Sequence, residues 1–441
     1  MLTISQLRLK IGEKLGAHGS DLARNALLAG GTRAFGVLLS FALLWLVGRR
    51  FGDEGAGLFT VPQSILIILR IFVSMGLGLA MVRLIAQLKP GEIRPHYHCA
   101  KWTMLAVSIV VGTLVALGSK GIANWLFDAP NLSWGIALAG IGLPFFAISQ
   151  LHAEVARGLK RMVASELFRG VGIPLVALIS FAFFFRSKAE HAFVGYVVGC
   201  AIVAVISFGF VRLALKPGSS EKRIRPQQLL ALSLPMMIGE FGVILLGRID
   251  HIMLEMLGST ADAGVYGVVL RLSAIVLFLP GAIGAIAAPK IAGVFWSDDP
   301  SGFPALARLV AKLMFWTALL PAIVIFVAPG FWMSIFGPSF ERGWLALVGL
   351  AFAGVLIAST GFIGSILNMT GGEKFYRNTI LVALGANIIL NLVLIPPFNL
   401  NGAALASLLT VIFWNAAGVI FIWRKHGFLL LHIPFWPRKR D

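Results

Sequence analysis

The chain has 441 residues, 58% of them hydrophobic and only 13% charged, with a formal net charge of +18. Soluble domains carry roughly 25% charged residues, so this composition excludes an ordinary soluble enzyme or binding domain and marks an integral membrane protein. The apolar runs exceed the roughly 10 alternating residues of a barrel strand, so the spans are α-helical and need about 20 apolar residues each.

Residues 1–26 read as a cytoplasmic amphipathic N-terminus. Ile4, Leu7, Ile11 and Leu15 recur there at helical spacing, which suits a helix lying on the membrane surface. No cleavable signal peptide is evident, because the first apolar run is long enough to remain as a span. Apolar runs then predict about twelve spans: 27–48, 58–86, 98–118, 132–153, 165–185, 192–214, 227–257, 264–289, 305–328, 343–370, 378–396 and 402–423. The runs 58–86 and 227–257 exceed one crossing and must tilt, kink or protrude. Pro62 and Pro235 are the expected kink points. The chain divides into an N-terminal six-helix lobe (27–215), a basic linker KPGSSEKRIRP (216–226), a C-terminal six-helix lobe (227–423) and a basic tail (424–441). Cys99 and Cys200 are the two cysteines, so no disulfide framework is implied.

Orientation follows from lysine and arginine. With the N-terminus in the cytoplasm, the cytoplasmic segments hold 25 of the 37 basic residues and the outer loops hold 6. Both termini are therefore expected in the cytoplasm of a bacterial inner membrane. Most of the positive charge is topology, and nucleic acid is not an expected partner. All connections are short and leave no room for a soluble catalytic domain. The chain is expected to be a non-enzyme with no catalytic residue, metal or cofactor.

An internal repeat is visible. FGDEGAGLF (51–59) precedes the second span and LGSTADAGVYG (257–267) precedes the eighth, aligning Gly57-Leu58-Phe59 with Gly264-Val265-Tyr266 at an offset of 207. RGLKRM (157–162) leads into the fifth span and TGGEKF (370–375) into the eleventh, with Gly158 and Lys160 matching Gly372 and Lys374 at an offset of 214. Six spans is an even number, so the halves insert in the same orientation. They would be related by a pseudo-two-fold axis along the membrane normal, with the substrate site between them.

Beyond the basic residues at the cytoplasmic span ends, which are counted with the cytoplasmic segments, six fall inside the spans: Arg33, Arg70, Arg83, Arg169, Arg248 and Arg271. Arg83 lies near a helix end and is expected to snorkel. Glu166 and Arg169 are three apart and are expected to pair along one face. His152 and Glu154 read as structural. The seventh span, GEFGVILLGRIDHIMLE, carries Glu240, Arg248, Asp250 and Glu255. Arg248 and Asp250 point apart on an ideal helix, while Arg248 and Glu255 share a stripe, so this span is expected to present a polar face to a cavity. Arg33, Arg70 and Arg271 lie in apolar surroundings with no acid within four residues. At the repeat offset Arg33 falls opposite Glu240. A guanidinium stays charged and grips phosphate oxygens bidentately, so Arg33, Arg70, Arg248 and Arg271 are candidate ligands for a phosphorylated, anionic substrate. Glu240, Asp250 and Glu255 are candidates for coupling or for polar cavity lining.

These residues resemble a known family. TRAFG, RRFGDEGAGLF and SMGLGLAMVRLIA, then LSLPMMIG, GRIDHIML, AGVYGVVLRLS and AAPKIA, then NMTGGEKF and NIILNLVLIPPFNLNGAALAS follow in the order found in the polysaccharide-transporter branch of the multidrug/oligosaccharidyl-lipid/polysaccharide exporter superfamily. The resemblance covers nearly the whole chain. It implies a MATE-like fold, all-α and polytopic, with two lobes around a cationic cavity. It also implies flipping of an undecaprenyl-pyrophosphate-linked oligosaccharide by alternating access. The partners it implies are that substrate, membrane lipid and polysaccharide assembly proteins. Related lipid II flippases use basic residues in the first, second and eighth spans, where Arg33, Arg70 and Arg271 fall here. Those flippases usually carry two further C-terminal spans, and this chain shows no acid beside Arg33. Both departures favour a polysaccharide repeat unit over lipid II. Coupling to a proton or sodium ion through Asp250 or Glu240 is open, although spacing does not argue for it. Two alternatives stay open. A cation or drug antiporter on the same fold would want an acidic cavity. A membrane glycan polymerase or ligase would want a substantial outer loop.

Overall fold

The computed structural model describes residues 4–183, 188–215 and 226–432, with side chains at 4–27, 29, 235 and 238–240 outside the described set. The linker, the end of the tail and the amphipathic face of the N-terminus therefore lie outside the described residues. Every described element is helical. This is what a lipid solvent imposes, because backbone groups must be satisfied within the segment.

The helices follow in chain order. α1 spans Ile4–Ser74, α2 Leu77–Gln87, α3 Pro90–Gly121, α4 Ser133–Gly158 and α5 Met162–Glu166. α6 spans Gly172–Phe183, α7 Glu190–Ala214, α8 Pro226–Leu246, α9 Ile249–Leu257 and α10 Thr260–Ala274. α11 spans Phe278–Phe295, α12 Phe303–Val327, α13 Pro329–Ser334, α14 Trp344–Ser359, α15 Ile363–Met369 and α16 Glu373–His426. Among the described residues nine helical stretches are long and apolar enough to cross a membrane. Two of them hold two expected spans each. α1 is interrupted by Gly52, whose φ of 70° is left-handed, and α16 is kinked at Asn399. The seventh span, α8 with α9, brings the tally to the twelve expected.

The two over-long runs break, but not at their prolines. Pro62 lies inside α1, and the second span breaks at Met75 and Gly76, both left-handed. The seventh span breaks at Gly247–Arg248, between α8 and α9. A proline removes one hydrogen bond that neighbours can replace, whereas a glycine admits backbone conformations that end a helix.

Two compact units emerge, each described in turn. The first comprises Met1–Leu43, Leu69–Gly118 and Ala137–Met237. Its helices meet through small residues, as expected where lipid removes the hydrophobic drive between helices. A Cβ on Gly112 of α3 would overlap the Gly140 carbonyl of α4, and one on Gly140 would overlap the Gly112 carbonyl in return. Gly195 and Gly199 of α7 lie against α6 in the same way. Between α5 and α6, Leu167–Val171 forms a π turn. That turn widens the helix and undoes the expected i,i+3 pairing of Glu166 with Arg169. Arg169 instead pairs with Glu154 of α4 at 2.5 Å, and Glu154 also takes Arg157 at 2.5 Å.

The second unit comprises Leu44–Ile68, Ser119–Ile136 and Ile238–Asp441. Here the two copies of the repeated motif meet. A Cβ on Gly57 would overlap the Thr260 carbonyl, and one on Gly264 would overlap the Asp53 carbonyl. Asp53 and Thr260 are themselves separated by the repeat offset, so the contact is reciprocal, as a two-fold relation requires. Arg342 bridges the two copies, reaching Asp53 at 3.1 Å and Asp262 at 2.8 Å. Such half-exposed ion pairs contribute about 0–1 kcal/mol, so the glycine contact carries the join. Gly264→Ala forces the backbones apart at a typical overpacking cost of about 1–3 kcal/mol. It is expected to lower the thermal midpoint of the detergent-purified protein. Gly281→Ala, where an added Cβ meets nothing within 4 Å, is expected to leave the midpoint in place.

Candidate functional site

The break at Gly247–Arg248 decides what the seventh span presents. Arg248 has non-helical backbone (φ −132°, ψ −20°), and α9 begins one residue later. The expected stripe joining Arg248 to Glu255 therefore does not start on a regular helix. Asp250 sits in the first turn of α9, where the exposed N–H groups of a helix start favour negative charge. Its side chain is buried.

Its partners come from three helices. Oδ1 accepts from Asn391 Nδ2 at 2.6 Å, on α16. Oδ2 accepts from the Ser407 hydroxyl, beyond the α16 kink, and from Tyr266 OH of α10 at 3.5 Å. Asn387 lies one turn before Asn391 and receives its Nδ2 on both backbone and side-chain oxygens at 3.0 Å. Asn387 in turn donates to Thr410 Oγ1 at 3.3 Å. Every partner of the Asp250 carboxylate among the described residues is thus neutral. One atom of the cluster is left over: Asn391 Oδ1 is buried without a hydrogen-bond partner. That oxygen keeps a lone pair for a further donor or cation. The cluster offers a carboxylate, two amide oxygens and three hydroxyl oxygens, a set suited to a hard cation or a proton.

Next to it, His251 is held from two sides. Its Nε2 donates to the Ala263 carbonyl at 2.9 Å, and its Nδ1 shares a hydrogen bond with the Ser64 hydroxyl at 2.9 Å. This ties the second span to α9 and α10 beside Asp250.

The other candidates fall elsewhere. Glu255 is buried at the far end of α9, where Oε1 accepts from Thr260 at 2.6 Å and Oε2 has no partner. It belongs to the loop where the repeat copies meet and not to the Asp250 cluster. The Glu240 side chain lies outside the described residues, and with it the expected pairing to Arg33. Arg271 is half-buried on the last turn of α10. One Nη donates to Gln63 Oε1 at 2.5 Å, the other to the Gly267 carbonyl at 3.3 Å, and the guanidinium lies 6.0 Å from the Phe59 ring centroid. Arg248 is also half-buried and belongs, like Arg271, to the second unit. Arg33 and Arg70 belong to the first unit, with Arg33 exposed and Arg70 half-buried. In that unit the buried His152 links Tyr97 OH (2.9 Å) to Ser207 Oγ (2.7 Å), as a structural histidine should.

Sequence reasoning missed Asn387, Asn391, Ser407, Tyr266, His251 and Gln63. The available signal was NIILN (387–391), two asparagines one turn apart in an apolar run, whose amides must find partners in lipid.

Residues 22–292 match the model of the family described as polysaccharide biosynthesis protein. The chain belongs to that family. The probable flippase AglR of Haloferax volcanii is 25% identical over 336 residues, covering 73% of this chain and 67% of that protein. Among solved structures, the lipid II flippase MurJ in an inward closed conformation matches with a TM-score of 0.72 at 12% identity, covering 90% of this chain and 87% of that one. The MATE multidrug transporter DinF-BH matches at 0.67 and 18% identity, covering 92% and 95%. These likenesses establish the MATE-like, all-α, polytopic fold for this member of the polysaccharide biosynthesis family.

Proposed function

We propose that the protein flips an undecaprenyl-pyrophosphate-linked oligosaccharide across a bacterial cytoplasmic membrane by alternating access. Arg33, Arg70, Arg248 and Arg271 take the pyrophosphate in a cationic cavity between two six-helix lobes (27–215 and 227–423), and the lipid tail stays in the bilayer. Both termini face the cytoplasm. Family membership supports the class of substrate. The observation that carries the arginine assignment is Arg271: Gln63 and the Gly267 carbonyl hold its guanidinium in place while its side chain stays half-exposed. A preorganised fork loses little further freedom when it grips an anion.

A coupling cation, proton or sodium, enters at Asp250. The neutral cluster and the orphan Asn391 oxygen support that choice over Glu255. A bound cation would neutralise the carboxylate and so bias the packing of α9 against α16, the differential contact that population shift requires.

The test is reconstitution. Purified protein in liposomes is expected to move a fluorescent lipid-pyrophosphate oligosaccharide between leaflets faster than empty liposomes do. The same lipid lacking its pyrophosphate is expected to move no faster than background. Equal movement of both lipids, or of neither, would refute the reading.

A further inference from the structure

α3, α4 and α7 of the first unit leave a groove of about 410 Å³ whose lining includes Lys101, Leu105, Phe145, Ile148, Val205 and Phe208. Apart from Lys101 the lining is apolar. Val205 is 72% exposed and the neighbouring Trp102 60%, so the groove opens on the side that a membrane-spanning unit turns to lipid.

Lys101 is the anomaly. Its residue is only 9% exposed, and its ammonium lies 4.5 Å from the Trp102 ring centroid, 5.2 Å from Phe208 and 5.9 Å from Tyr97. Aromatic faces attract the charge but accept few of the three hydrogen bonds an ammonium can donate. Among the described residues no oxygen acceptor reaches it. A lysine this far along α3 could have extended to the interface, yet it is folded back among rings beside a groove. Arg94, His98 and Lys101 fall at i, i+4 and i+7, one stripe of α3, and Leu105 continues that stripe into the groove. The stripe therefore changes from basic to apolar along the helix, the polarity profile of a lipid lying beside it.

We propose that this groove binds an anionic glycerophospholipid of the surrounding bilayer. A phosphate oxygen accepts from the Lys101 ammonium, Arg94 and His98 face the headgroup, and one acyl chain fills the groove between α3, α4 and α7. Charge complementarity selects the occupant. A zwitterionic lipid brings its own cation to a stripe that already holds the Arg94 and Lys101 cations, and a neutral lipid brings no acceptor of comparable strength.

The experiment is native mass spectrometry of the full chain in detergent with phosphatidylglycerol or phosphatidylcholine added at equal concentration. Wild type is expected to retain phosphatidylglycerol at least fivefold over phosphatidylcholine. Lys101→Gln is expected to bring the two near parity, and Lys101→Arg to keep the preference. Val205→Trp, which fills the groove and leaves the charge, is expected to reduce retention as well. Thermal midpoints of all variants report that they are folded, and a variant that fails to fold is replaced by the other of the pair. Equal retention of the two lipids by wild type, or unchanged preference in both Lys101→Gln and Val205→Trp, overturns the proposal. So does displacement of phosphatidylglycerol by equimolar undecaprenyl pyrophosphate in wild type but not in Lys101→Gln, which would assign the groove to the transported lipid. Transport is not read in this experiment, so its failure and that of the flippase reading are separable.

Discussion

Asp250→Asn is expected to remove cation dependence while leaving the protein folded. The carboxylate is held by Asn391 Nδ2, Ser407 Oγ and Tyr266 OH, all of which can donate. An asparagine there keeps one acceptor oxygen and adds an amide that must face donors. It costs about 1–3 kcal/mol for a buried group left unsatisfied but leaves the volume unchanged. The negative charge, which alone gives a monovalent cation reason to leave water, is gone. The direct measurement is a thermal midpoint with sodium, with choline in its place, and across pH. Stabilisation by a ligand at one hundred times its Kd is about 2.7 kcal/mol, and the variant is expected to lose whatever stabilisation wild type shows. Gradient-driven transport should fall at least tenfold, equivalent to about 1.4 kcal/mol of coupling. Asn391→Ala, which removes the orphan oxygen and one donor together, should fall between. Unchanged ion and pH dependence in Asp250→Asn would move the coupling site elsewhere.

The cluster also shows where sequence reading stops. The twelve-run pattern was legible because lipid leaves the backbone no alternative to helix, and the repeated Gly-aliphatic-aromatic motif was legible as spacing. Its meaning was not, because the reciprocal fit of Gly57 on Thr260 and Gly264 on Asp53 is a property of two segments in contact. Asp250 and Glu255 were found by counting charges. Counting charges could not find Asn387, Asn391 and Ser407, since neutral polar side chains are common in membrane helices and only convergence distinguishes them. Nor could it separate Asp250 from Glu255, which five residues of sequence place together and one short helix places in two different neighbourhoods. The same limit applied to the kinks. Prolines drew the eye at 62 and 235, while the chain breaks at Met75–Gly76, both left-handed, and at Arg248, whose backbone is non-helical.

The largest effect is expected from Arg33→Ala combined with Arg271→Ala. Arg33 is exposed on α1 beside Phe35, Val37 and Leu38, all exposed. Such a charge costs about 2.5–3.5 kcal/mol if it meets the hydrocarbon centre; in the proposed reading it faces water and the anionic substrate. Arg271 is anchored rather than stranded, through Gln63 and the Gly267 carbonyl. Charge-assisted hydrogen bonds contribute about 1.5–3 kcal/mol each, so losing one strong contact from each arginine removes roughly 3–6 kcal/mol, at least a hundredfold in flipping of a labelled lipid-pyrophosphate oligosaccharide in vesicles. The single variants should each lose less, and their sum need not match the double because both would act on one bound group. Lysine at either position restores charge without the fork and should recover only part of the rate. Arg83→Ala, an exposed arginine near the end of α2, should flip at the wild-type rate, which separates a specific site from the general loss of positive charge. Gln63→Leu should resemble a weakened Arg271, since it removes the anchor but not the cation. If the double variant flips as well as wild type, the arginines are structural and the pyrophosphate is bound elsewhere.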